Sequence, residues 1–528
     1  MEQFIQEHDS AIAGVLSGFD RLVLRGTLRM LSFTAGMMTF LSHAGVLLKD
    51  FGAYAEETTN RLKDASLAAA RELERPIKYL PSSGTRKEDV AREIAAADNV
   101  TEGLLTVLTC VEPCQSYELY RDRQAKRLVL EPRRRKCLHL YHYWIDPVFG
   151  FMSARIQTWF PFPIQVCVNG REWLARQLDR EGIRYRRSDN CFPWVEDFPR
   201  AQALFEKMLT LSWSSFLDSV GRRLNPCLDD ILGGFSASYY WSVHQSEWAT
   251  DVVFRSPRTL ARLYPLLTQG ALTSFASADV MRFLGGRQLT GTFAGEVVSD
   301  YRSRHEGVRV KHQVKANSIK LYDKHPCLLR TETTLNDPAD FKVFRPKEGE
   351  PDGERGWRTL RKGIADLHRR AQLSQEANNR YLNALACLNT DRRFQELVEP
   401  VCRRVRWKGK PVRGLRPWSE PDRRLLETIN RGEYALNGFR NRDLATQLLP
   451  TPKNDQERKR YSARVTRQLR LLRAHGLIRK SPHTHRYRIT PKGQQLACAL
   501  TRLRELTLQT LNQAAPQQIF AGKQDSDG

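Results

Sequence analysis

Apolar positions along the chain switch between a period of two and a period near 3.6, and the switches outline its elements. Residues 19–28, FDRLVLRGTL, alternate and predict a strand. Helical spacing follows over 31–48, 53–74 and 86–97, and residues 104–109 read as a buried strand. Residues 149–168, FGFMSARIQTWFPFPIQVCV, are dense in aromatic and β-branched side chains. They predict a hairpin turning at Pro161-Phe-Pro163, with a helix over 171–180 after Asn169-Gly170. Residues 204–223 and 257–285 read as helices, with an aromatic segment over 238–251 between them. Strand-forming runs at 308–312, 317–322 and 327–335, broken by Lys-Ala-Asn and Lys-His-Pro, predict a short antiparallel sheet. A polar loop over 346–356, a long helix over 357–388 and a Pro/Gly-rich linker over 407–422 follow.

The last hundred residues carry the clearest pattern. Helices are predicted over 422–430, 443–449 and 461–475. In the third, Val465, Leu469, Leu471 and Leu472 form an apolar stripe, with Arg464, Arg467, Arg470 and Arg473 between them. Gly476 stands where a C′ glycine ends a helix. Leu477-Ile-Arg-Lys and Arg486-Tyr-Arg-Ile-Thr then pair as two short strands, and Thr490-Pro-Lys-Gly opens a last helix. The run LRLLRAHGLIRK, followed by RYRITPKG, resembles the winged-helix domains of MarR-type regulators. The resemblance implies a recognition helix over 462–473 and a wing over 480–488, with His485, Arg486 and Arg488 at the nucleic-acid backbone. The fold class expected is α+β: a mixed α/β body with antiparallel sheets plus a C-terminal winged helix. The division expected is 1–105 mainly helical with an early strand, 106–345 a β-rich basic body, 346–410 a long basic helix and linker, 411–512 the winged helix, and 513–528 a disordered tail.

Charge changes this picture from a fold to a class of partner. The 528 residues hold 84 Lys+Arg against 59 Asp+Glu, a net charge of +25. Acids are plentiful, so this is a folded basic protein rather than a basic tail, and its first expected partner is nucleic acid, DNA ahead of RNA. A homodimer is the second partner considered. Residues 1–10 contain Glu2, Glu7 and Asp9 and predict no signal peptide. No segment has the pattern of a membrane span, and ten cysteines are too sparse for a disulfide scaffold. The compartment expected is reducing and cytoplasmic, in a bacterium.

Three groups of residues carry candidate chemistry. The 307–345 block places Lys311, Lys320, Tyr322, Lys324, Arg330 and Glu332 on one small sheet, a surface suited to phosphate. Lys311, Lys320 and Arg330 are its candidate nucleic-acid contacts. Asp20, opening the early strand, is either a metal ligand or a turn acid. Cys110, Cys114, Cys137, His139 and His142 offer soft ligands enough for a structural zinc, or are buried cysteines and strand histidines. The sequence NSIKLYDK followed by LRTE (317–324 and 329–332) resembles filamentous-phage-type rolling-circle replication initiators. That resemblance implies a divalent metal, Mg or Mn, at Glu332, with Tyr322, Lys324 and Asp20 in catalytic roles. Such nickases carry a His-hydrophobic-His pair. His139 and His142 are one residue wider, so a regular strand turns them to opposite faces. As a whole the chain resembles a family of bacterial proteins from mobile-element contexts, a likeness that supplies no activity.

Three readings follow: a DNA-binding protein linked to a mobile element or replication, a metal-dependent DNA nickase or recombinase, and a structured-RNA-binding protein that stacks bases on the aromatic hairpin.

Overall fold

A computed structural model of the chain describes residues 1–503, apart from 125, 274, 276, 285–296, 305–306, 340, 348–349, 351, 387–393, 431–433, 435–437, 482–483, 491, 494–495, 498 and 501–502. Among the described residues, thirteen strands precede residue 336: β1 Ile12–Leu28, β2 Ile77–Tyr79, β3 Gly103–Asp122, β4 Arg127–Asp146, β5 Gly150–Gln157, β6 Ile164–Asn169, β7 Tyr185–Ser188, β8 Cys191–Val195, β9 Tyr239–Phe254, β10 Val297–Arg304, β11 Gly307–Val314, β12 Asn317–His325 and β13 Leu328–Leu335. β7 and β8 pair with each other. The other eleven form one sheet in the order β10-β11-β12-β13-β9-β1-β6-β5-β4-β3-β2. It is antiparallel except where the short β2 runs parallel to β3.

The predicted strand at 19–28 is the middle of this sheet. β1 pairs along its whole length with β9, and with β6 over Arg21–Gly26. Residues 1–105 are therefore not a separate N-terminal region. The expected three-stranded sheet is likewise one wing of a continuous one, because β13 pairs with β9. The predicted hairpin is β5 and β6. Its Phe149, Phe160 and Phe162 are fully buried, which withdraws them from any base-stacking surface.

The two largest apolar cores among the described residues back the sheet. One gathers Thr34–His43, Phe51–Glu72, Phe198–Glu206 and Trp213–Leu224 against the β1–β6 half. The other packs Pro257–Thr273, Ser277–Phe283 and Leu367–Ala386 against β11–β13. The long helix begins at Leu367, ten residues later than its pattern predicts, because Gly356–Thr359 is a strand paired with Lys342–Arg345. Two of its arginines turn inward. Arg370 is buried and donates to the Leu335 carbonyl at 2.9 Å, and Arg380 donates to the Phe283 carbonyl at 2.7 Å.

Beyond residue 393, the helices Phe394–Cys402, Glu420–Ile429, Asn441–Leu448 and Asp455–Ala474 share a third core with the strands Ile478–Lys480 and Tyr487–Ile489. The two strands pair antiparallel. The Asp455–Ala474 helix starts six residues before the predicted 461, where the Asn454 side chain accepts from the Glu457 amide. Val398 and Val401 lie in this core, so the unit reaches back past the expected boundary at 411. The predicted linker contains a hairpin of Val405–Trp407 and Lys410–Val412. The expected tail at 513–528 lies outside the described residues. Among them, no helix is long and apolar enough to cross a membrane.

Candidate functional site

Three central strands put carboxylates on the same face of the sheet. Asp20 is placed by a β-bulge: the β1–β9 register shifts between Phe19 and Arg21, and a bulge turns the extra residue and its neighbour toward one side. Arg21 faces Glu247 on β9. Alternation places Glu247, Ala249 and Asp251 on one face of β9, level with Thr334, Glu332 and Arg330 of β13. The next rung adds Lys320 opposite Glu332, Tyr322 opposite Arg330, and Lys311 opposite Lys320. The carboxylate oxygens of Asp20, Glu247 and Glu332 consequently all lie within 4.8 Å of one another.

Each carboxylate is held differently. Glu332 is 3% exposed and accepts from Lys320 Nζ at 2.5 Å and from the Tyr322 hydroxyl at 2.6 Å. Burial pushes its carboxyl up, but the Lys320 charge and these two hydrogen bonds outweigh burial and hold it below the usual range. Asp20 is buried and accepts from the Asn190 amide at both oxygens, at 2.9 Å, and from Arg330 at 3.4 Å. Burial, then the Glu332 and Asp251 charges, raise Asp20 despite that arginine. Glu247 is half-buried and accepts from Gln245 at 2.9 Å. Burial and the neighbouring Glu332 raise it as well. Two carboxyls pushed up by burial and like charge beside a third kept ionised make a place where a cation relieves repulsion. The donors are all oxygen, which suits Mg or Mn rather than zinc.

Beside this cluster, on the same face and two residues along β9 and β13, lies a fully buried ion-pair frame. Arg330 grips Asp251 with Nε at 2.6 Å and a terminal nitrogen at 2.9 Å, and Arg171 reaches Asp251 at 3.1 Å. Arg171 comes from the helix Gly170–Arg180, whose start is capped by the Asn169 side chain. Gly170 is required there: a Cβ would sit 1.9 Å from the Phe19 carbonyl oxygen, beside Asp20. The Asn169-Gly170 pair in the sequence thus docks an arginine beside the carboxylates.

Several expected roles change. Arg330 is 0% exposed and committed to Asp251, so it supports the cluster and is not a nucleic-acid contact. Lys324 is tied to Asp189 at 2.6 Å rather than turned to the cluster. Tyr322 is driven well above its ordinary range by burial and the Glu332 charge, so its phenol donates to Glu332 and is no ready nucleophile. Lys311 and Lys320 do face the same side as the carboxylates.

The five zinc candidates do not converge. Cys114 and Cys137 touch at 2.7 Å between sulfurs, but Cys110 turns to the Val111 carbonyl. His139 contacts the Cys137 carbonyl, and His142 contacts Ser66 Oγ at 3.0 Å. Burial drives His142 down to about 4. Neighbours three apart on a straight strand cannot meet, and among the described residues no Cys/His group of metal-holding geometry forms. The residue that sequence reasoning missed is Glu247. Its alternation with Gln245 and Asp251 was readable, but the aromatics around it hid the polar face.

In the C-terminal unit, Arg464 and Arg467 are exposed on one side of the Asp455–Ala474 helix. Arg470 is half-buried, and Arg473 lies 4.9 Å over the Trp407 ring. His485 and Arg488 are exposed on the hairpin. Arg486 is buried and donates to the Gly438 carbonyl at 3.4 Å, so it braces the hairpin rather than facing solvent.

Comparison of the chain with protein-family models, curated proteins and solved structures returns no match.

Proposed function

We propose that the chain is a DNA-binding protein that processes DNA phosphodiesters with a divalent metal, in the setting of a mobile element or its replication. The observation that carries this reading is the meeting of Asp20, Glu247 and Glu332, 227 and 85 positions apart in sequence, within metal-sharing distance on a lysine-bearing sheet face. A divalent ion there would polarise a phosphoryl oxygen and offset the charge developing on it. The chain's own residues would do the rest. Glu332 is kept ionised by Lys320 and Tyr322, and the Arg330–Asp251–Arg171 frame fixes the strands that carry the acids. Lys311 and Arg21 flank the cluster with positive charge for the phosphate backbone.

Site choice is assigned to the C-terminal unit, read as a winged helix. Its helices Glu420–Ile429, Asn441–Leu448 and Asp455–Ala474, paired strands and exposed Arg464 and Arg467 support that reading, with the 462–473 segment entering a major groove. The test is nicking of supercoiled DNA with Mg or Mn. The wild type is expected to cut, and Glu332→Ala and Glu247→Gln are expected not to. Cutting by both variants at the parental rate would remove the cluster from catalysis.

A second reading is favoured by one observation: Lys320, Arg330, Arg171 and Arg21 already stand among the four acids. On it, the protein binds DNA without cutting, and the cluster is structural. Tight duplex binding with no metal-dependent nicking would select it.

A further inference from the structure

Away from the carboxylates, a cavity of about 370 Å³ opens between β1, β9, the β3–β4 ribbon and the loop before the Leu367–Ala386 helix. The charged side chains lining it are Arg25, His244 and Lys362, and no acid lines it. All three are exposed, and among the described residues none of their side chains has a carboxylate or hydrogen-bond partner. Positive charge crowds this region: burial and then Arg155 lower Arg25, while burial and then Arg25, Arg155 and Lys362 lower His244. Several other cations of the sheet do meet acids. Arg155 has Glu112 at 3.2 Å, Lys320 has Glu332 at 2.5 Å, and Arg330 has Asp251 at 2.6 Å. A folded chain that leaves an arginine and a lysine beside a histidine with no acid, in a walled cavity, has a site whose missing charge is negative.

The rest of the lining narrows the anion. Tyr117, Pro161 and Pro163 form an apolar wall beside the cations. A flat ring wall next to a guanidinium and an ammonium suits a nucleotide unit, with phosphate on the cations and sugar or base on the rings. Position adds to this. Arg25 lies four residues beyond Arg21 on β1, roughly 13 Å along the strand from the bulge that carries Asp20. That span covers about four phosphates of a B-form strand.

We propose that this cavity is a phosphate-binding subsite for a nucleic-acid strand that runs along β1 from the Asp20–Glu247–Glu332 cluster, held by Arg25, Lys362 and His244. The direction of the strand rests on the metal-dependent reading above; the anion site itself does not.

The test is fluorescence anisotropy of a labelled twelve-nucleotide single-stranded DNA with the full chain in EDTA, where cleavage is silent and the C-terminal helix has no groove to enter. Arg25→Gln/Lys362→Gln removes two exposed cations with no partners, so folding is not at stake. The double variant is expected to bind at least tenfold more weakly, with the slope of log K against log salt smaller by about 1.4 for two lost contacts. Unchanged affinity and slope would overturn the subsite. Adenosine triphosphate is titrated in parallel. If it binds the wild type and not the double variant while the oligonucleotide is indifferent to the change, the site serves free nucleotides and the strand assignment is overturned. If the wild type never nicks DNA but the salt slope still falls, the catalytic reading fails and the subsite stands.

Discussion

Replacing Glu247 by glutamine separates a metal site from a structural ion cluster, because the two predict opposite signs. The three carboxylates lie within 4.8 Å of one another, so each ionised pair repels by at least about 3.5 kcal/mol at an effective dielectric of 20. Glu247→Gln deletes two of the three repulsions and keeps the shape. Lys320, Arg21 and Arg330 already offset much of the gross term, and Glu247 is half-exposed, which leaves a net gain on the order of 1–2 kcal/mol without metal. The variant therefore melts higher than the parent in EDTA, by a degree or two for a body this large. With a divalent ion the order reverses. Metal at a hundred times its dissociation constant stabilises the parent by about 2.7 kcal/mol. Loss of one of three charged ligands weakens binding by roughly a hundredfold or more and removes most of that gain. Thermal melting with and without Mn, on both proteins, reads the crossing directly. A variant that melts lower than the parent in EDTA, with the same Mn-dependent rise, would show that Glu247 stabilises the fold through its cationic neighbours and holds no metal.

Other consequences follow from the same geometry. Because Asp20 and Glu247 are raised, protons compete with a metal for them, so Mn affinity measured by calorimetry should climb as pH rises from the ordinary carboxylate range through their raised values. Asp251→Asn leaves Arg330 and Arg171 buried beside Asp20 alone, and should cost about 3–5 kcal/mol in denaturant unfolding, where a surface carboxylate would cost almost nothing. His142 and His312 are both held down to about 4 by burial, so the unfolded chain takes up their protons first. Stability should fall as pH drops from about 6.5 to 4, by roughly 3 kcal/mol for each histidine. Arg464→Gln/Arg467→Gln should lower the salt slope of duplex binding by about 1.8 and leave the melting temperature unchanged, since both side chains are exposed.

The local elements were legible because each rests on a short-range rule. Strands β11, β12 and β13 lie where alternation and the two turn triplets put them, and the Gly170–Arg180 helix starts at its Asn-Gly signal. The Glu420–Ile429, Asn441–Leu448 and Asp455–Ala474 helices follow their apolar stripes, and Gly476 takes positive φ after the last of them. The candidate site was only half legible. Asp20 and Glu332 stood out as acids on strands, but nothing in 312 residues of separation says that they share a face.

Periodicity, capping and composition act over a few residues, so they settle the alphabet of elements, the excess of positive charge and two of the three clustered carboxylates. The tertiary structure alone decided the partners. Pairing of β13 with β9 and of β9 with β1 is a long-range choice of register, and one bulge at Asp20 is enough to turn that carboxylate toward Glu247 and Glu332. The same pairings bury Arg330 against Asp251, converting a candidate phosphate ligand into a support, and leave Arg25, His244 and Lys362 facing an opening with no acid in it. Which cation finds a carboxylate and which stays free is settled by strand order, and strand order is not written in any one stretch of the chain.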